Sequence, residues 1–168
     1  MSDSSKQDQT VKRSSDNRVF LVVVDETEEM KVALRFACRR AKSTGGRVAL
    51  LYVIEPAEFM HWMAVDDLMR EEARSEGERL LQRLAAQVNR ETGAMPVLFV
   101  REGAVSDQLM KLLEEEPSIS ILVLGANTGS GGPGPLVTAL TGKMVGRLRI
   151  PITIVPGNLD EGGIDAIS

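Results

Sequence analysis

The sequence predicts a single parallel, doubly wound α/β sheet, and three observations carry that prediction. Five short apolar runs, each typical of a strand buried on both faces, alternate with four segments whose apolar residues recur at helical spacing. The 168 residues fit one domain of ordinary size. Crossover connections long enough to hold a helix join strands that run parallel. We therefore expect a five-stranded sheet with helices on both faces.

The strands are expected where the apolar runs fall. The first run, residues 19–24, ends at Asp25, and the second, residues 48–54, follows Gly45 and Gly46. The other three runs lie at residues 97–100, 119–124 and 152–155. Each run matches the pattern of a strand that is covered on both faces of a sheet.

The helices are expected between these strands. The first has its apolar positions within residues 30–41, at the spacing of one helical face. The second is long, begins near Asp66-Asp67, which are natural N-cap residues, and ends at Gly93. The third stops before Pro117, and the fourth runs through residues 136–145 after a glycine-rich loop.

Composition divides the chain into three parts. Residues 1–17 hold almost nothing that can pack and are expected to form a disordered tail. Residues 18–157 carry every predicted strand and helix and are expected to form the domain. Residues 158–168 are expected to be a weak polar tail.

Charge and residue usage exclude several classes of function. The chain has 20 Lys and Arg against 24 Asp and Glu, and its net charge of -4 argues against nucleic acid as the main partner. Because Cys38 is the single cysteine, an internal disulfide is excluded, and its place on the apolar face of a helix predicts an inert thiol. Because His61 is the single histidine, no set of zinc ligands is present. No apolar run is long enough for a membrane span, and the polar N-terminus lacks the apolar stretch of a secretory signal. The expected location is the reducing cytoplasm.

A candidate binding site lies beyond the carboxyl ends of the first and fourth strands, where open parallel sheets bind ligands. Asp25 ends the first strand, and Gly125 ends the fourth and opens a glycine-rich loop, residues 125–135, that leads into a helix. Glycines let backbone N–H groups approach an anion, and a helix start adds positive partial charge. The loop either holds a phosphate or is a surface connection, and the residues alone leave both readings open.

Two short motifs near this loop are poor matches to phosphate-binding patterns. Residues 129–134 fit G-x-G-x-x-G, but the match starts four residues beyond Gly125, and two prolines remove amides that a phosphate would need. Gly142-Lys143 looks like the end of a Walker A motif, but Met144 replaces the required Ser or Thr. Neither motif predicts a dinucleotide site or a P-loop.

Four features of the sequence fit one known family. They are Asp25 at the end of the first strand, Leu51-Tyr52-Val53-Ile54-Glu55 in the second, Leu122-Val123-Leu124-Gly125 before a glycine-rich loop, and Pro151-Ile152-Thr153-Ile154-Val155-Pro156 at the close. With the order of the elements, they make the chain resemble the universal stress protein family. The resemblance implies the adenine-nucleotide alpha-hydrolase-like fold with strand order 3-2-1-4-5, in which the first and fourth strands are neighbours.

Members of that family that bind ATP carry the motif G-x2-G-x9-G-[ST] from the fourth strand into the last helix. Here Gly125 matches the first glycine, Thr128 stands in place of the second, and Thr138-Ala139 replace the final pair. The chain is therefore similar to the branch of the family that does not hold ATP.

If a nucleotide does bind, the resemblance implies where its parts would lie. Asp25 would contact the ribose or the base edge, and the backbone of Val53 would contact the adenine. The phosphates would lie along Gly125, Ala126, Thr128, Gly129, Ser130 and Gly131, with Thr138 and Ala139 at the helix start. Each of these two residues also has a purely structural explanation: Asp25 as a helix cap and Val53 as a core residue. No cofactor is therefore certain, and ATP or AMP is the candidate ligand.

Two further segments are candidates for a flap and for a subunit interface. The bulky residues Phe59, Met60, His61, Trp62 and Met63 are expected to form a mobile flap over the crevice, and the alternatives are an interaction surface or packing against the body. The resemblance implies that the last strand lies at a sheet edge and pairs with its copy in a second subunit. The homodimer interface would then consist of Ile152, Thr153, Ile154 and Val155.

The resemblance implies a dimeric cytoplasmic stress-response or regulatory factor. We expect a degenerate nucleotide crevice and action through an unidentified protein partner. The alternative is an ATP- or AMP-binding switch with slow or no hydrolysis. No other enzymatic activity and no metal are expected, because no G-x-S-x-G motif and no catalytic set around His61 is present.

Overall fold

A computed structural model describes residues 18–56 and 63–168, with residues 63–66 described by their backbone alone. The strands are β1 (Val19–Val23), β2 (Arg47–Ile54), β3 (Val97–Glu102), β4 (Ile119–Ala126) and β5 (Ile152–Pro156). They form one five-stranded sheet in the order β3-β2-β1-β4-β5, and every neighbouring pair is parallel. The predicted fold class and strand order are therefore confirmed.

The described part of the chain contains five α-helices. They are α1 (Glu28–Thr44), α2 (Met63–Thr92), α3 (Val105–Glu115), α4 (Pro135–Thr141) and α5 (Glu161–Ile167), with a 3₁₀ turn at Val145–Arg147. The start of α1 is capped by Thr27, whose hydroxyl accepts a hydrogen bond from the Met30 amide. Gly45 ends the same helix with a φ of 70°, a left-handed conformation that glycine adopts without strain.

The sheet is covered on both faces, as its continuous apolar strands require. Helices α1 and α2 pack on one face, where Leu34 of α1 and Leu81 of α2 belong to the same core as Phe20 and Val22 of β1. Helices α3 and α4 pack on the other, where the alternate β1 residue Leu21 belongs to the same core as Leu109 and Leu140. The period-two alternation of a strand thus divides β1 between two cores.

Three helix predictions differ from the structure. The helix expected through residues 136–145 ends as α4 at Thr141, because Gly142 terminates it, and a separate 3₁₀ turn follows at Val145–Arg147. Helix α2 begins at Met63 and not near Asp66-Asp67, because the methionine and alanine before those aspartates are good helix formers and extend the helix. The expected polar tail contains α5, which residues 161–167 form with an N-cap at Asp160. Seven residues that include Gly162 and Gly163 have little intrinsic helix propensity, so their helicity depends on contacts with the rest of the fold.

Cys38 lies in the core between α1 and the sheet and is 1% exposed. Burial raises the pKa of its thiol to about 12, and the nearby carboxylate of Glu91 adds to the rise. The thiol is therefore neutral at physiological pH, so the structure gives Cys38 the inert character that the sequence predicted.

The raised pKa of Cys38 predicts a loss of stability at alkaline pH. The folded state holds this proton more tightly than the unfolded state, so the contribution is complete below about pH 8.5 and is lost as the pH rises toward 12. We expect wild type to lose up to about 4 kcal/mol more than Cys38→Ala between those limits, as measured by urea unfolding at several pH values. Equal pH slopes for the two proteins would contradict this assignment.

Within residues 18–56 and 63–168, none of the helices has the length and apolar character needed to cross a bilayer.

Candidate functional site

A cleft of about 700 Å³ opens at the carboxyl ends of β1, β2 and β4. It lies where the strand order changes direction between β1 and β4, the position at which open α/β sheets bind ligands. Its walls come from the strand ends and from the starts of α1, α3 and α4, and α2 contributes Glu76 and Leu80. A cavity of this size is large enough for a nucleotide-sized ligand.

The structure brings four of the predicted nucleotide-contacting residues to this cleft. They are Asp25, Val53, Gly125 and Ala139. The other six lie outside the lining of the cleft: Ala126, Thr128, Gly129, Ser130, Gly131 and Thr138. Ala126 is buried with the core on the α3 and α4 face, and residues 128–131 are exposed.

Asp25 is tied to the start of α1. Its Oδ1 accepts a hydrogen bond of 2.8 Å from the Thr27 amide and one of 2.5 Å from the Thr27 hydroxyl. Thr27 in turn caps α1. Asp25 thus holds the residue that caps α1 and does not cap the helix itself, and the same carboxylate also lines the cleft.

Gly125 is a point at which α1 passes very close to β4. A Cβ on Gly125 would lie 2.1 Å from the backbone oxygen of Glu29, closer than any real contact permits. Gly157 stands in a similar position, since its Cβ would lie 2.7 Å from the Glu29 Cβ. Both glycines are thus required for the first turn of α1 to pack against the ends of β4 and β5.

The glycine-rich loop between β4 and α4 is closed by its own hydrogen bonds. The side-chain oxygen of Asn127 accepts a hydrogen bond of 2.7 Å from the backbone amide of Gly129. The backbone amide of Asn127 donates one of 3.2 Å to the Pro133 carbonyl. Gly132 and Gly134 have positive φ values of 84° and 106°, so the turns of the loop require glycine. The loop is a self-contained turn structure, and its tip lies away from the cleft lining.

Thr138 does not take the place of the family's Ser or Thr at the start of the last helix. Its hydroxyl donates to the Gly134 carbonyl at 2.9 Å, one turn earlier along the chain. The side chain is therefore engaged with the backbone of α4 rather than directed into the cleft.

All the charged side chains in the described lining of the cleft are acidic. They are Asp25, Glu26, Glu29, Glu55 and Glu76, and no Lys, Arg or His accompanies them among the described lining residues. Tyr52 also lines the cleft, and burial, followed by the carboxylates of Glu76 and Glu26, raises the pKa of its phenol. The side chains in the described lining of the cleft therefore carry only negative formal charge.

Sequence reasoning missed the contribution of α2 to the cleft. The ring of Tyr52 lies against Gly77, where a Cβ would be 2.2 Å from the ring carbon Cε1. This contact positions the neighbouring Glu76 at the cleft. A glycine within a charged helical stretch was the one available signal, because a helix rarely contains glycine without a packing reason.

The predicted flap lies outside the described residues, which omit positions 57–62, and only the backbone of Met63 is described, at the start of α2. His61 and Trp62 belong to the omitted segment. Among the residues that the structure does describe, no group of His, Cys, Asp and Glu side chains is arranged to hold a metal ion.

Comparison with known proteins identifies the family. The family model described as the universal stress protein family matches residues 17–156. The chain belongs to the universal stress protein family. A search of curated proteins finds no significant sequence match.

Solved structures of universal stress proteins share the fold. The protein UspA from Lactobacillus plantarum is 16% identical with a TM-score of 0.69, and the alignment covers 83% of this chain and 97% of that one. A family member from Burkholderia pseudomallei is 20% identical with a TM-score of 0.66, with coverage of 84% and 98%. A family member from Arabidopsis thaliana, solved with AMP bound, is 17% identical with a TM-score of 0.59, with coverage of 86% and 94%.

Proposed function

We propose that this universal stress protein is a dimeric cytoplasmic regulatory factor that acts by binding a protein partner, and that its nucleotide cleft is degenerate. The observation that carries the proposal is the charge of the cleft: five carboxylates and no basic side chain in its described lining. A nucleotide phosphate brings further negative charge into the same space, and the resulting repulsion opposes binding.

The geometry of the glycines supports the same proposal. The backbone of α1 fills the space beside Gly125 where a Cβ would stand. The prolines at 133 and 135 have no amide hydrogen to donate to a phosphate. Helix α4 has only seven residues, so its start offers little dipole to an anion. These features reduce the number of backbone donors that the glycine-rich loop can offer to a phosphate.

The alternative is an ATP- or AMP-binding switch with slow or no hydrolysis. Two observations favour it: the cleft occupies the position expected for the family, and the Arabidopsis thaliana relative was solved with AMP bound. In this alternative, Asp25, Val53, Gly125 and Ala139 would contact the nucleotide.

Nucleotide binding provides the test. Mass spectrometry of the freshly purified, denatured protein is expected to find no stoichiometric ATP or AMP, and millimolar Mg-ATP is expected to raise the Tm by less than about 1 °C. A switch saturated at a hundredfold excess over its Kd would gain about 2.7 kcal/mol and raise the Tm by about 5 °C or more. Either that shift or a released nucleotide would overturn the proposal in favour of the alternative.

A matched pair of variants tests whether charge is the reason. The double variant Glu26→Gln and Glu76→Gln removes two cleft carboxylates and is expected to increase the Tm shift caused by Mg-ATP. The double variant Glu72→Gln and Glu78→Gln removes the same charge from exposed positions of α2 outside the cleft and should leave the shift unchanged. Equal responses would show that the local charge of the cleft is not decisive.

The dimer is proposed through β5. This strand lies at the edge of the sheet, and Ile154 at its centre is 40% exposed. An apolar edge strand of this kind is a site for pairing with another strand.

A further inference from the structure

The C-terminal segment, residues 157–168, lies beyond the residues that the family model matches and folds back onto the domain. It leaves β5 at Gly157, which packs against Glu29 in the first turn of α1. It then forms α5 against the outer face of the same helix, one to three turns further along. The segment therefore lies outside the matched family domain and covers a surface of its first helix.

One apolar side chain and two carboxylates hold α5 in place. Ile164 is 1% exposed and is the buried anchor of the helix. The Asp165 carboxylate forms two ion pairs, at 3.2 Å from Nη2 of Arg35 and at 2.9 Å from Nε of Arg39. The Glu161 carboxylate lies 3.3 Å from Nη1 of Arg35. The two carboxylates are four residues apart and so share a face with Ile164.

These contacts predict an attachment that opens more readily than the core of the sheet. A helix of seven residues with two glycines is not stable on its own. Exposed ion pairs contribute little each, and the carboxylate side chains of Glu161 and Asp165 are 81% and 40% exposed. The attachment therefore depends on Ile164 and on the short tether to β5, which gives a high effective concentration.

We propose that the face of α1 that carries Arg35 and Arg39, against which α5 packs, is a docking site for a short acidic amphipathic helix, and that α5 occupies it as an intramolecular competitor. The partner helix carries carboxylates at positions i and i+4 and an apolar residue at i+3, which is the pattern of Glu161, Asp165 and Ile164. Charge complementarity with the two arginines selects an acidic helix. Neither arginine lines the cleft.

The proposal builds on the partner-binding role given above, but its test does not depend on whether the cleft holds a nucleotide. A fluorescent peptide with the sequence of residues 157–168 serves as the probe and is titrated into three full-length proteins: wild type, Ile164→Asp and Ile167→Asp. Ile164→Asp removes the anchor and frees the site, whereas Ile167 is 60% exposed, so its substitution is the matched control.

We expect the peptide to bind Ile164→Asp at least tenfold more tightly than wild type or Ile167→Asp, and more weakly as salt is raised. Adding Arg35→Glu and Arg39→Glu to Ile164→Asp should abolish binding, and a peptide with Glu161→Arg and Asp165→Arg should restore it. The proposal is overturned if the peptide binds all three proteins equally or binds none.

Hydrogen exchange on wild type gives a second measurement that needs no variant. The amides of α5 are expected to exchange by local opening, well before those of β1 and β4. If α5 exchanges only with the core strands, it is an integral part of the fold and not a displaceable competitor, and the proposal fails.

Discussion

Replacing Gly125 with alanine is expected to reduce the free energy of unfolding by about 3 kcal/mol. The added Cβ would lie 2.1 Å from the backbone oxygen and 2.4 Å from the carbonyl carbon of Glu29. Because these atoms belong to a helix backbone, no side-chain rotation relieves the overlap. The first turn of α1 must move away from β4, which disturbs the Thr27 cap and the burial of Met30.

Urea unfolding of Gly125→Ala and of Gly131→Ala, measured in parallel, separates the effect of the contact with α1 from a general effect of replacing a glycine in this loop. Gly131 belongs to the same glycine-rich loop, but no atom lies within 4 Å of an added Cβ, and its φ is not positive. Gly131→Ala is therefore expected to be neutral or to stabilise by up to about 1 kcal/mol. Similar losses in both variants would show that the approach of α1 is not what requires glycine at position 125.

The sheet was predictable from the sequence because a strand that is buried on both faces must be apolar throughout. The run that ends at Asp25 could hardly belong to another element, and its position at a strand end placed Asp25 at the cleft. The family resemblance supplied the adjacency of β1 and β4, which apolar runs alone do not determine.

The details of the site were not predictable in the same way, because they depend on contacts between distant segments. A glycine at a strand end fits a phosphate contact and a close helix approach equally well, and only the fold shows that α1 crosses Gly125. Glu76 is one of many charged residues in α2, and only the packing of Tyr52 against Gly77 brings it to the cleft. Helix α5 escaped prediction because it depends on the burial of Ile164 and on contacts with α1, and not on a local sequence pattern.

Replacing Ile154 with lysine is expected to dissociate the proposed homodimer, with an increase of at least about 100-fold in the dimer Kd. Ile154 is 40% exposed on the edge strand β5, where a second copy of the strand would cover it. The substitution removes the apolar contact and brings two like charges together across the proposed two-fold axis. Lysine is also a residue that edge strands commonly carry to prevent such pairing.

Sedimentation velocity over a range of concentrations measures the effect, and Met95→Lys is the matched control. Met95 is 54% exposed and precedes β3 at the opposite edge of the sheet, so its substitution adds the same charge without touching β5. We expect wild type and Met95→Lys to sediment as dimers and Ile154→Lys as a folded monomer, with a Tm lowered only by the lost stabilisation of association. A wild-type monomer at high micromolar concentration, or dissociation by Met95→Lys alone, would contradict an interface through β5.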